Sequence, residues 1–159
     1  MKPAAILAAL VLATPALAAE SLSGSATVAD AGALRIGEKT LRITGIVAPG
    51  IAQSCSEWIE RRPRSYPCGL HARAYLASLV AGKTVFCVTA EASEARGSLA
   101  RCYVEGQDIG EAMIAAGWAV VAPPASNLYV SAQEAARRAQ RGLWAGTFDL
   151  PGAAANPQR

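Results

Sequence analysis

Charge is scarce in this chain. Asp, Glu, Lys and Arg make up 17% of its 159 residues, and 15 basic against 12 acidic side chains leave a formal charge of +3. With 52% hydrophobic residues, so little charge excludes a disordered, charge-driven chain. It also argues against a polybasic nucleic-acid binder. Histidine is nearly missing, His71 being the single one, and no Cys-x-x-Cys pair occurs. Zinc is therefore the weaker reading of the four cysteines. No apolar run beyond the N-terminus is long enough to cross a bilayer, and no segment repeats at a fixed period. The length suits one domain.

What is present begins with an export signal. Lys2 precedes an apolar stretch from Ala4 to Ala13, which Thr14 and Pro15 break. Ala16-Leu17-Ala18 then matches the small-x-small pattern of signal peptidase sites. Residues 1–18 are expected to form a secretory signal peptide, cut after Ala18 or one residue later. An N-terminal membrane anchor is the alternative. The remainder, a domain over residues 19–148 with a frayed tail at 149–159, is long enough to bury roughly two-thirds of its unfolded surface. A periplasmic or secreted location follows. In that oxidising setting Cys55, Cys68, Cys87 and Cys102 suggest two disulfides, of which three connectivities are possible.

Along the chain, Leu22, Gly24, Ala26 and Val28 alternate with Ser and Thr as in a half-buried strand. Asp30-Ala31-Gly32 reads as a turn, and Leu34 to Ile43 as a hairpin around Gly37-Glu38. Ile51 to Pro67, with Arg61-Arg62-Pro63-Arg64, is too rich in proline and charge for a strand and is expected to be a loop. Leu70, Ala74, Ala77 and Val80 recur at helical spacing, with Gly82 as the stop. Strands are expected over Thr84 to Thr89 and Leu99 to Val104. Helices should start near Ile109, where Asp108 and Glu111 form a capping pair, and near Ala132, where Ser131 and Glu134 form a capping box. Strands, helix, strands, helix, helix is the order of an α+β fold: a five-stranded OB-type β-barrel with about three helices. Parallel α/β winding fits poorly, because the first three strands have no helices between them.

The strand positions also choose a disulfide pairing. Cys87 and Cys102 lie mid-way along two strands that antiparallel pairing sets side by side, at the Cα spacing a bridge requires. Cys55 and Cys68 flank the Pro- and Arg-rich segment. The expected bridges are Cys55–Cys68 and Cys87–Cys102.

Leu41-Arg42-Ile43-Thr44-Gly45-Ile46-Val47-Ala48-Pro49, Gln53-Ser54-Cys55, Cys68-Gly69, Val85-Phe86-Cys87, Ala100-Arg101-Cys102, Gly117-Trp118-Ala119 and Gly142-Leu143-Trp144-Ala145-Gly146 follow one another in a particular order. In that order the chain resembles the staphylococcal-nuclease-like, or thermonuclease, family from about Leu22 to Phe148. The resemblance implies calcium-dependent hydrolysis of DNA and RNA phosphodiesters. That chemistry needs carboxylates to hold a hard cation on the phosphate, a glutamate to help activate water, and two arginines to neutralise the five-coordinate phosphorus.

The chain departs from that pattern at almost every position. Where the family has Asp-Gly-Asp-Thr it reads Asp30-Ala31-Gly32-Ala33, so Gly32 replaces a metal-binding Asp. Where the family has Gly-Ile-Asp-x-Pro-Glu, Val47 replaces the second Asp and Gly50 the catalytic Glu. Arg42 and Pro49 are retained. Gly97 falls on the second arginine's position, with Arg96 one residue away, where a slip in a loop would rescue it but a strand would turn it to the other side. Losing a general base typically costs ~10²–10⁴ in rate. Losing a phosphate-clamping arginine costs ~10³–10⁵. The calcium site is expected to be lost, with no cofactor in its place. Glu57, Glu91 and Glu94 are candidates to migrate into the role, but their spacing does not suggest it.

The other functional candidates have plainer readings. Arg42 either binds an anion in the old pocket or pairs with Asp30 across the sheet. Arg61, Arg62 and Arg64 either touch an anionic partner or form a solvated loop. His71 has no Ser, Cys or Asp partner for general-base work. Trp118 and Trp144 are expected to fill gaps near the C-terminal helices, and Trp58 lies in the polar loop, where exposure would be informative. Arg137, Arg138 and Arg141 complement a helix dipole. The leading expectation is a binding or scaffold module that has lost nuclease chemistry, with a protein or anionic ligand in the envelope as partner. Nucleic-acid binding is expected to be weak at most. A weak, unconventional nuclease and a structural, disulfide-stabilised envelope protein are the alternatives.

Overall fold

The computed structural model describes residues 20–91, 98–122 and 128–149. The expected signal peptide and most of the tail lie outside the described residues. β1 (Ser21–Asp30), β2 (Ala33–Ile36) and β3 (Lys39–Ile43) form an antiparallel meander. β4 (Ile46–Val47) follows, then β5 (Cys55–Ile59) and β6 (Arg62–Tyr66). α1 (Cys68–Val80) leads to β7 (Thr84–Glu91), β8 (Ser98–Val104) and β9 (Gln107–Asp108). The chain ends in α2 (Ile109–Ala115), β10 (Val120–Val121), α3 (Val130–Arg138), a 3-10 turn at Gly142–Ala145, and β11 (Gly146–Thr147).

The sheet order is β3-β2-β1-β7-β8-β9, and a parallel β3–β8 pairing closes the first five strands into a barrel. Closure removes the free edges that a five-stranded sheet would otherwise present. β1 alternates exposed and half-buried residues, as its sequence alternation dictates. The barrel interior holds Leu34, Leu41, Val85 and Ala100, and α1 and α2 cover it with Leu76, Ile109 and Met113. This is the OB-type arrangement, with one helix between the third and fourth barrel strands. Among the described residues, no helix is long and apolar enough to cross a membrane.

The segment expected to be a loop is instead a hairpin. β5 and β6 pair antiparallel, Cys55 facing Tyr66 and Trp58 facing Pro63, and β11 adds a third strand through Gly146–Glu57 and Thr147–Ser56. Its turn residues Glu60 and Arg61 both have positive φ, 48° and 63°. That geometry suits a two-residue hairpin but favours Gly and Asn, so neither residue advertised it. Pro63 is tolerated because β6 is an edge strand.

The capping box at Ser131 is not formed. α3 starts at Val130 with Tyr129 in the N-cap position and no side-chain cap, which leaves Ser131 inside the first turn. Asp108 does cap α2, accepting from the Glu111 amide at 3.1 Å. Of the three arginines assigned to the α3 dipole, Arg137 and Arg138 lie in its last turn. Arg141 lies beyond it and donates to the Ala115 carbonyl at the end of α2, at 3.1 Å.

The bridges are Cys55–Cys68, with Cα atoms 5.6 Å apart, and Cys87–Cys102, at 4.1 Å. Cys87 and Cys102 face each other across β7 and β8 inside the barrel core. Cys55 and Cys68 form a second buried cluster with Leu143, against which Tyr66, Trp118 and Phe148 pack. Two glycines hold this corner closed. A Cβ on Gly117 would sit 2.1 Å from the Arg141 carbonyl oxygen, and one on Gly142 would sit 2.5 Å from the Gly117 oxygen. Both have positive φ, and the Leu143 amide donates to Gly117 across the contact at 2.9 Å.

Candidate functional site

One end of the barrel gathers most of the positions singled out in the sequence. Gly32, in the turn after β1, accepts a hydrogen bond from the Ile43 amide at 2.9 Å, next to Arg42 at the end of β3. A Cβ on Gly32 would meet that of Ala48 at 3.5 Å, next to Val47 on β4. Val47 is half-buried and pairs with Val120 of β10. Pro49 is fully buried, and Gly50 beyond it has open space where a side chain would project. The fold therefore places Gly32, Arg42, Val47 and Gly50 around one corner. Gly97 and Arg96 precede Ser98, which pairs with Leu41, but lie outside the described residues, as does Glu94.

Arg42 is exposed there and does not pair with Asp30. The register explains the correction: Asp30 faces Ala33, and Ala33 faces Arg42, so two interstrand spacings of about 4.8 Å separate them. Asp30 instead accepts from the Ala31 amide at 2.8 Å.

Calcium takes about six to eight oxygen ligands, with carboxylates foremost. At this corner Gly32, Val47 and Gly50 supply no carboxylate, which leaves Asp30 alone, with one of its oxygens accepting from its own turn. Among the described residues, no three His, Cys, Asp or Glu side chains gather as a metal site would need. The described donors do not fit a calcium ion.

The remaining named residues fall elsewhere. Arg61, Arg62 and Arg64 are exposed on the hairpin, beside Trp58, which is 59% exposed. Glu57 lies on the same hairpin, opposite Arg64. His71 packs between the Tyr66 and Trp118 rings, with centroids 5.5 and 5.7 Å away. Trp118 bridges the two buried clusters, while Trp144 meets Phe148 edge to face at 5.1 Å.

The sequence reading missed one polar constellation. Asp108, only 7% exposed, accepts from Arg101 Nε at 2.7 Å and from the Tyr129 hydroxyl at 2.9 Å. Burial, then the bond to Asp108, pushes the Tyr129 phenol well above the usual 10.0. The same carboxylate raises the Arg101 guanidinium further. Arg101 also lies over the Tyr103 ring at 5.6 Å. One carboxylate thus joins β8, α2 and the start of α3. The capping signal at Asp108 was legible, but its partners on β8 and before α3 are known only through the fold.

The family model described as staphylococcal nuclease homologue matches residues 40–146, most of the chain. The chain belongs to that family. Its match takes in Arg42, Val47 and Gly50 of the barrel corner, the hairpin and all three helices, and begins after Gly32. A similar protein is the succinoglycan biosynthesis protein ExoI of Rhizobium meliloti (strain 1021). It is 30% identical over 143 residues, covering 88% of this chain and 73% of the relative. Within the family fold, two disulfides fit an oxidising compartment rather than the cytoplasm.

Proposed function

We propose that this is an exported staphylococcal-nuclease-like domain that has lost calcium-dependent phosphodiester hydrolysis and serves as a binding or scaffold module in the periplasm or outside the cell. One observation carries the reading: Gly32, Val47 and Gly50 stand around Arg42 where the chemistry needs carboxylates. Without them no described group there holds a cation against phosphate or draws a proton from water. Arg42 keeps only the capacity to neutralise an anion. The name of the relative, a succinoglycan biosynthesis protein, favours polysaccharide surroundings over nucleic-acid breakdown.

The test is direct. The purified mature protein, given single-stranded DNA or RNA with millimolar calcium, is expected to release product no faster than Arg42→Ala. Rapid digestion by wild type that Arg42→Ala abolishes would restore the enzyme reading. Calcium is expected to leave the melting temperature unchanged, whereas a specific site at hundredfold excess over Kd would add about 2.7 kcal/mol. Gly32→Asp, Val47→Asp and Gly50→Glu together are expected to introduce such a shift. Gly32 and Gly50 have room for the change.

A further inference from the structure

We propose that the outer face of the β5–β6–β11 sheet is a saccharide-binding site, with Trp58 as the stacking platform and Ser56, Ser65 and Thr147 as the hydrogen-bonding row. The inference deepens the binding-module reading and rests on it only for its biological sense, since this face is on a different sheet from the Arg42 corner.

Register places the groups. Thr147 faces Ser56 and Ser56 faces Ser65, so three hydroxyls lie side by side across three strands. Neighbouring strands are about 4.8 Å apart, close to the width of a pyranose ring. Trp58 and its partner Pro63 lie two residues further along the same face, roughly 7 Å away. The indole is the most exposed large apolar side chain among the described residues. At the other end of the row a cavity of about 300 Å³ is lined by the same three hydroxyls, Ser54, Phe148 and Asp149. That volume is at the lower end for a small-molecule site.

The chemistry is selective. A pyranose presents a C–H face, which lies well against an exposed ring, and a rim of hydroxyls that both donate and accept. Serine and threonine hydroxyls also do both, and a carboxylate accepts. A nucleic acid fits worse. Arg62 and Arg64 alternate onto the opposite face, and the charged group in the cavity is the Asp149 carboxylate, which repels phosphate. The site therefore suits an uncharged sugar unit within a polysaccharide.

The test uses native gels cast with dextran, succinoglycan, alginate or single-stranded DNA, run with the mature protein. Retardation is expected in at least one polysaccharide gel, with binding weakened about tenfold in Trp58→Ala, the scale of truncating an aromatic anchor. Ser56→Ala with Ser65→Ala is expected to weaken it as well. Phe86→Ala, which removes another exposed aromatic from the barrel wall, is expected to bind as wild type does. No retardation in any polysaccharide, equal retardation in Trp58→Ala, or a Trp58-dependent shift confined to DNA would each overturn the site. Nuclease activity in the calcium assay would sink the loss-of-catalysis reading and leave this one standing.

Discussion

The barrel and the β5–β6–β11 sheet are both β structure, yet they are held by different means. The barrel closes on itself, pairs its edge strands and buries a continuous apolar interior. The smaller sheet has an open edge at β6, strands rich in Ser, Arg and Glu, and a buried cluster of only Cys55, Cys68 and Leu143. Its cohesion comes from one disulfide, the packing of Leu143, Tyr66, Trp118 and Phe148, and the added strand β11. A sheet with so little apolar area is free to carry exposed groups such as Trp58.

The comparison breaks most visibly at the bridges. Removing the barrel disulfide with Cys87→Ala and Cys102→Ala is expected to cost about 3 kcal/mol. For a domain of this size that lowers Tm by roughly 10 °C in a thermal melt.

The Asp108 network ties the helices to the barrel and should come next. Tyr129→Phe removes a buried hydrogen bond to a carboxylate and is expected to cost about 2 kcal/mol at neutral pH. The pH dependence has a definite sign. Folding raises the Tyr129 phenol above its ordinary 10.0, so its contribution is complete below pH 10 and lost as pH rises past it toward the folded value. Denaturant melts of wild type and Tyr129→Phe should therefore converge above pH 10. A constant gap would mean that the phenol is not held by Asp108.

In the smaller sheet, Cys55→Ser with Cys68→Ser is expected to lower global stability by only about 1 kcal/mol, because the sheet can open without the barrel. The effect should appear locally instead, as faster tryptic cleavage at Arg61 or Arg64. If Tm falls as far as in the barrel double variant, the two regions are one cooperative unit.

The smallest effect sharpens the contrast from the stabilising side. Glu60→Asn with Arg61→Gly puts residues suited to positive φ at the hairpin turn and is expected to add about 1 kcal/mol. Slower tryptic cleavage at Arg64, a site that wild type and variant both keep, with little change in Tm is the expected result.

By itself the sequence determined the barrel, because strands with one buried face must alternate, and β1 through β3, β7 and β8 do. It determined the disulfide partners, because Cys87 and Cys102 occupy matching positions on consecutive strands and Cys55 and Cys68 bracket one segment. Its departures from the family pattern singled out Gly32, Val47 and Gly50, which the fold sets near Arg42. Only the tertiary structure decided the rest. The Cys55–Tyr66 segment became a hairpin because a bridge, Leu143 and an added strand supply what its own polar residues and turn do not. Helix α3 begins at Val130, with Tyr129 rather than Ser131 in the cap position, where Asp108 holds the Tyr129 hydroxyl from another element. Arg42 was left free of Asp30 because Ala33 stands between them in the register. Each of these depends on residues distant in sequence, and local pattern carries no information about a partner that the chain meets only after folding.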